Sequence, residues 1–156
     1  MKNIFKKFHT DNLGYSSFRG EKPNYTRTIS PKLGYLGVLG VLGFLGFLPQ
    51  IINVNGFMPV PFPFFFFGFF GFFGFYYEGK MSNTLIDERF RANAYRAEAV
   101  ANKIAILIIL LVSIIFVPQA KDAQIALSVL IATIAVAFGL SVFLQQYLLY
   151  RFENEE

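Results

Sequence analysis

Few side chains in this 156-residue chain have the chemistry to catalyse a reaction or to bind a metal. His9 is the only histidine and has only Asp11 nearby, whereas a metal site needs several convergent ligands. Asp87 and Glu88 form a carboxylate pair, but neighbouring residues on a helix point apart and share no acid–base site. The absence of cysteine excludes disulfides, thiolate metal sites and thiol nucleophiles. We therefore expect a protein that is not an enzyme and has no cofactor or metal.

Glycine spacing is the other pattern that could carry chemistry, because glycine-rich loops bind phosphate groups. Phosphate loops need GxGxxG after a strand or GxxxxGK[ST], and neither occurs here. Ion-coupled pumps and carriers place ionisable residues in the middle of their spans, and the apolar segments of this chain have none there. Glycine instead recurs at every third position in two sets, Gly34, Gly37, Gly40, Gly43 and Gly46, then Gly68, Gly71 and Gly74. We interpret these glycines as helix-packing positions.

The long apolar stretch of residues 33–77 carries no charged side chain. A soluble protein with such a stretch would expose large contiguous apolar patches and aggregate. Only 15% of the chain is charged, against about 25% in typical soluble domains. Composition therefore predicts an integral membrane protein in the lipid bilayer, with no room for a separate catalytic domain and no evident small-molecule substrate.

Composition divides the chain into five parts and predicts an all-α membrane protein with four transmembrane segments in two helical hairpins. The parts are a polar basic tail (1–32), a Gly/Phe-rich hairpin (33–77), a linker helix (78–103), a second hairpin (104–150) and an acidic tail (151–156). As an α-helix, the first segment (34–52) would be roughly 28 Å long, close to a bilayer core. The second (64–77) would reach only about 21 Å, so we expect a short or re-entrant segment.

The second hairpin is predicted from helix start signals and an uninterrupted apolar run. Thr84 and Asp87 match a capping box, and no glycine or proline follows until Pro118. We therefore expect one long third helix, Thr84 to Val117, which extends into the cytoplasm and enters the membrane near residue 101. The last span is expected over 125–150.

Basic residues predict the orientation. Residues 1–32 carry seven Lys or Arg, residues 78–103 carry five, and Arg151 follows the last span. The opposite loops carry only Lys121, so that thirteen of the fourteen basic residues lie on one side. The positive-inside rule makes that side cytoplasmic. We expect a multi-pass plasma-membrane protein with both termini in the cytoplasm and no nucleic-acid partner.

The glycines and other small residues predict where helices pack closely. In an α-helix, each step of three falls about 60° short of a full turn. The first glycine set would therefore wrap around its helix as an oblique groove, whereas the shorter second set would stay on one face. The last span has a further small-residue face, formed by Ser128, Ala132, Ala135 and Gly139. These surfaces suit either packing within the chain or an interface with another membrane protein.

Three motifs resemble small integral membrane proteins of Gram-positive bacteria that are grouped as a family of unknown function. They are Leu-Gly-Tyr-Leu-Gly-Val-Leu-Gly (33–40), Phe-Gly-Phe-Phe-Gly-Phe-Phe-Gly (67–74) and the linker Asp87-Glu88-Arg89-Phe90. The resemblance covers roughly residues 33–150. It implies a bacterial plasma membrane and supplies no catalytic residues.

The surplus of packing surface without chemistry favours a non-catalytic accessory subunit of a larger membrane complex, such as an ABC-type transporter. Its partners would be other membrane subunits or further copies of this chain. Phe90 and Tyr95 on the linker helix would contact a cytoplasmic partner, unless Phe90 packs on the N-terminal tail. Two alternatives remain open at this point, a self-contained immunity or stress protein against peptide toxins and an oligomeric pore.

Overall fold

The computed structural model describes residues 24–48 and 62–155, which are mostly helical and contain no β-strand. The helices are η1 (Pro31–Phe47), η2 (Phe62–Phe73), α1 (Gly74–Lys80), α2 (Glu88–Ile115) and α3 (Ala123–Glu155), where η denotes a 3₁₀-helix, and a single 3₁₀ turn (Val117–Gln119) follows α2. The helical class is therefore confirmed. Two helical segments, 88–119 and 123–154, are long and apolar enough to cross a membrane. The predictions for the first 23 residues, including His9 and Asp11, and for the connector at 49–61 lie outside the described residues.

Helices η1 and η2 are 3₁₀-helices, although the sequence had suggested α-helices. Bonds between residues three apart are formed at both ends of η1, from the Leu33 N–H to the Ser30 carbonyl and from the Leu48 N–H to the Leu45 carbonyl. A 3₁₀-helix has three residues per turn, so that every third residue lies on the same face. The glycines of η1 therefore line one face, and the prediction that they wrap around the helix is wrong.

The same geometry sorts the Leu-Gly-x repeat of η1 into three stripes. One stripe is glycine and is buried at Gly34, Gly37, Gly40 and Gly43. The second is leucine, at every third position from Leu33 to Leu48, and the third contains Tyr35, Val38, Val41, Phe44 and Phe47. Both of these larger stripes are largely exposed, although the rings of Phe44 and Phe47 in the third stripe also contact Phe67 and Phe64 of η2.

The helices form a single layer. In this layer η1 packs against η2 and α1, η2 and α1 pack against α3, and α3 packs against α2. The spatial order is therefore η1, then η2 with α1, then α3, then α2. Only the two central elements have neighbours on both sides, and the layer leaves two broad faces and two outer edges exposed.

Helix α2 begins at Glu88 rather than at Thr84, because Asp87 is its N-cap. The Asp87 carboxylate accepts a hydrogen bond from the Phe90 N–H at 2.7 Å, which satisfies one of the free donors of the first turn. Thr84 does not cap the helix. Its carbonyl accepts from the Thr26 N–H at 2.9 Å, beside an antiparallel bridge between Tyr25 and Leu85.

Helices α2 and α3 are joined by small apolar residues and by two polar bonds. Ala97 and Ala101 are fully buried at the contact. The Asn93 amide donates to the Glu153 carboxylate at 2.7 Å, and the Ser141 hydroxyl donates to the Asn102 side-chain oxygen at 2.7 Å. Small side chains allow close approach and the polar pairs fix the register of the two helices.

Residues 24–30 lie along the turn at 78–86, and we call this contact the clasp. Arg27 Nε donates to Glu78 Oε1 at 2.6 Å, which raises the pKa of the largely exposed Arg27. The Thr26 hydroxyl donates to the Met81 carbonyl at 2.5 Å, and the Ser82 hydroxyl accepts from the Ile29 N–H at 2.9 Å. The clasp therefore fastens the residues before η1 to the segment between α1 and α2.

Candidate functional site: a glycine–phenylalanine zipper

Helix η1 runs antiparallel to η2 and α1, and each of its glycines meets one aromatic residue on the opposite side. Four of these contacts are with a ring, and Gly34 meets the Cβ and backbone of Tyr76. Each step of three residues along η1 is matched by a step of three in the opposite direction. The pairs are Gly34 with Tyr76, Gly37 with Phe73, Gly40 with Phe70, Gly43 with Phe67 and Gly46 with Phe64. We call this arrangement the zipper. At its end the roles are reversed, because Gly79 of α1 faces Pro31 of η1.

The zipper leaves no space for a larger residue at the glycine positions. A Cβ atom added at Gly40 would lie 2.5 Å from Cδ1 of Phe70, and one added at Gly37 would lie 2.7 Å from the Phe73 ring. Real Cβ atoms essentially never approach other heavy atoms so closely. Glycine is required here by the close approach of a ring and not by its backbone freedom.

The rings of the zipper also stack along η2. Phe64, Phe67, Phe70 and Phe73 follow one another with centroid distances of 6.1, 6.1 and 6.3 Å and with small interplanar angles. Phe64 and Phe67 are almost fully buried. Offset-stacked aromatic pairs contribute about 0.5–1.5 kcal/mol beyond their buried area, so the row of rings stiffens η2.

The second glycine set faces α3, where the two backbones approach each other. A Cβ atom at Gly71 would lie 3.0 Å from the Gly139 carbonyl oxygen, and one at Gly74 would lie 3.1 Å from the Val142 carbonyl oxygen. A Cβ atom at Gly139 would in turn lie 3.0 Å from the Phe67 carbonyl oxygen. Glycine on both helices thus allows η2 and α3 to pack at short range.

The small-residue face predicted on the last span is divided by the structure. Ala135 is buried against Phe64 and Phe67, and Ala132 packs at the edge of the same cluster. Ser128 lies nearer the start of α3, where its hydroxyl donates to the Gln124 carbonyl of the same helix. The helix contact therefore involves Ala132, Ala135 and Gly139, and Ser128 has a local role.

The comparisons with known proteins find no counterpart for this arrangement. No protein-family model, curated protein or solved structure matches this chain. The resemblance to small Gram-positive membrane proteins therefore stays a prediction. The function has to be argued from the geometry alone.

Of the two residues predicted to contact a cytoplasmic partner, Phe90 is buried and Tyr95 is exposed. Phe90 is only 8% exposed and packs with Met81, Ala97 and Leu149. The expectation that Phe90 is accessible to a partner is corrected, because Leu149 near the end of α3 lies against it. Tyr95 is 73% exposed and remains available.

Several carboxylates of the described residues have structural roles. Asp87 caps α2, Asp122 accepts from the Ile125 N–H at 2.8 Å at the start of α3, and Glu78 pairs with Arg27. Within residues 24–48 and 62–155, no group of three His, Cys, Asp or Glu side chains is placed to hold a metal ion.

Sequence reasoning missed a cluster of tyrosines at the clasp end of the layer. The ring of Tyr77 lies 5.2 Å from that of Tyr147 and 5.5 Å from that of Tyr150. Lys80 Nζ lies 4.6 Å from the centre of the Tyr76 ring and 5.4 Å from that of Tyr150. The enrichment of tyrosine at the ends of apolar segments was the available signal.

Proposed function

We propose that this chain is a four-span membrane protein in which η1 and the continuous η2–α1 segment also cross the bilayer. A 3₁₀-helix rises about 2.0 Å per residue, so the 17 residues of η1 extend about 34 Å. The 12 residues of η2 and the 7 of α1 reach a similar length of about 34 Å. Both exceed the roughly 30 Å hydrocarbon core. The 3₁₀ geometry thus removes the shortfall that had suggested a short or re-entrant second segment.

The exposure of the apolar helices supports this arrangement. In the most apolar windows of α2 and α3 only 11% and 17% of the residues are buried, whereas the core helix of a soluble protein is mostly buried. The leucine stripe of η1 is exposed as well, with Leu36, Leu39 and Leu45 between 41% and 46% accessible. Lipid is the environment that such surfaces require.

The contacts at the clasp end support cytoplasmic termini. Arg27 pairs with Glu78, Lys80 lies over Tyr150, and Arg96 lies 4.6 Å from the ring centre of Phe152. The residues before η1, the α1–α2 turn and the end of α3 therefore share one end of the layer. This end carries most of the basic groups, which the positive-inside rule assigns to the cytoplasm.

The topology can be tested by labelling single cysteines, since the natural chain has none. Cysteines at Ser17 and Asn154 should resist membrane-impermeant thiol reagents in intact cells and react after lysis. A cysteine at Asn55 should react in intact cells. Labelling of Ser17→Cys from outside would contradict the orientation, and protection of Asn55→Cys in both conditions would contradict the first hairpin.

Within the membrane, we propose that the protein is a non-catalytic accessory subunit of a larger assembly. The observation that carries this is the single layer, which has very close internal contacts but whose apolar faces and edges are not covered by any other part of residues 24–48 and 62–155. The outer surface of η1 and that of α2 give such a layer two edges for lateral association. Two hydroxyls of the last span are engaged within the described residues, since Thr133 bonds to Val129 and Ser141 to Asn102. This use of the polar groups disfavours the pore.

Purification from native membranes in a mild detergent tests the accessory role. We expect a second membrane protein to co-purify at fixed stoichiometry. Photo-cross-linkers at Leu39 on the η1 edge and Ile114 on the α2 edge should identify the edge in contact, with Phe138 on a face of the layer as the matched exposed control. A monodisperse monomer with cross-links only to lipid at all three positions would overturn the accessory role and favour a self-contained protein.

A further inference from the structure

Two neighbouring apolar cavities lie on one face of the layer. The first, of about 270 Å³, lies between η1, the end of η2 with α1, and α3, and Tyr35 and Tyr76 line it. The second, of about 240 Å³, lies between η2 and α3 and extends to Val136. Both are lined by Phe73 and Phe143, so together they form one continuous trough.

The trough runs from the clasp end towards the middle of the layer. Along α3, the seven residues from Phe143 to Val136 correspond to about 10 Å, and Tyr150 lies about 10 Å further towards the clasp end. In the proposed four-span arrangement, one leaflet contributes about 15 Å of hydrocarbon. The trough therefore covers much of the depth of the cytoplasmic leaflet.

Two lysines flank the open end of the trough. Lys80 lies over the ring of Tyr76, which is part of the wall of the first cavity. Lys32 is exposed and lies one 3₁₀ turn from Tyr35, on the same face of η1. The neighbouring carboxylate, Glu78, is engaged with Arg27. The clasp end of the trough therefore has one lysine over a ring of its wall and a second on the same face of η1 as Tyr35.

We propose that this trough is a binding site for one anionic phospholipid. An acyl chain lies along Phe73 and Phe143, and the phosphate is held between Lys80 and Lys32. A cavity that is apolar along its length and cationic only at its interfacial end has the polarity of such a lipid. The tyrosine cluster lies beside the glycerol region, where amphipathic aromatic rings are enriched. The inference rests on the proposed four-span arrangement.

The test is native mass spectrometry of the full-length protein released from nanodiscs with equal amounts of phosphatidylglycerol and phosphatidylcholine. We expect one phosphatidylglycerol to be retained with a preference of about tenfold, since each lysine attracts anionic lipid. The double variant Lys32→Gln/Lys80→Gln should lose that preference, whereas Lys103→Gln and Lys121→Gln should keep it. Val136→Trp, which fills the inner end of the trough, should reduce retention of both lipids.

Equal retention of the two lipids by the natural protein, or an unchanged preference in Lys32→Gln/Lys80→Gln, would overturn the site. Circular dichroism of each variant establishes that the helices are retained. Cysteine labelling distinguishes a result that contradicts only the lipid site from one that contradicts the proposed topology. A chain that labels as four spans but shows no lipid preference contradicts the lipid site alone, whereas altered labelling contradicts the arrangement on which it rests.

Discussion

Gly40→Leu is expected to lower the thermal unfolding midpoint of the purified protein in detergent more than any other single substitution on η1 outside the glycine stripe. The Cβ atom alone would lie 2.5 Å from the Phe70 ring, so η1 and η2 would have to separate. Overpacking of this kind typically costs about 1–3 kcal/mol, and occasionally more. Val41→Leu is the matched control, because Val41 is 54% exposed and its side chain can grow without a clash.

A compensating change sharpens this test. In the pair Gly40→Phe and Phe70→Gly, each substitution alone should destabilise the protein, the first by a clash and the second by a cavity. Together they exchange the ring and the space that receives it, so the double variant should be more stable than the sum of the two predicts. Additive losses, or equal midpoints for Gly40→Leu and Val41→Leu, would show that the glycines are not a packing surface.

Insertions into η1 should have the second large effect, and the effect should depend on their length. One alanine inserted after Leu42 rotates the rest of a 3₁₀-helix by a third of a turn. Gly43 and Gly46 would then leave the rings of Phe67 and Phe64, and a loss of stability at least as large as that of Gly40→Leu is expected. Insertion of a whole Gly-Val-Leu triplet at the same point keeps every glycine on its face and should be the mildest change.

The series distinguishes the two helix types directly. In an α-helix three residues fall about 60° short of a turn and four overshoot it by about 40°, so a four-residue insertion would be tolerated better than a triplet. In a 3₁₀-helix the triplet is in phase and four residues are not. Thermal midpoints for insertions of one, three and four residues provide the measurement. A four-residue insertion more stable than the triplet would rule out the 3₁₀ zipper.

Helices α2 and α3 could be predicted from the sequence to within a few residues. Their apolar runs lack internal proline, and Pro118 marks the break between them. These signals are local, since they depend on the residues of the helix itself. The small residues at the η2–α3 contact could also be predicted from the sequence, because Ala135 and Gly139 are spaced four residues apart, as on one face of a helix.

The 3₁₀ geometry was not predicted, because runs longer than three or four residues are uncommon in 3₁₀-helices. The glycines of η1 were therefore placed with the period of an α-helix. The signal that could have corrected this is the shared period, since Gly34 to Gly46 and Phe64 to Phe73 both repeat every three residues. Two helices that pack ring against glycine at four successive steps need the same period on both sides.

The start of α2 and the burial of Phe90 depend on contacts that are distant in sequence. Thr84 and Asp87 are both suitable caps, and the pairing of Thr84 with Thr26 decides between them. Phe90 is buried because Leu149 at the end of α3 lies against it. Neither partner can be identified from the residues near the site.

The clasp has a consequence for the order in which the molecule assembles. Arg27 and Glu78 are 51 positions apart, and closing a flexible loop of that length has a substantial entropic cost. An exposed ion pair contributes too little to offset it. Once the zipper has formed, Pro31 and Gly79 are already in contact. Arg27 and Glu78 are then close together, so that little further loop-closure entropy is lost when they pair. We therefore expect the zipper to form first and the clasp to close last, which would make the clasp the first contact to open when the protein is stressed.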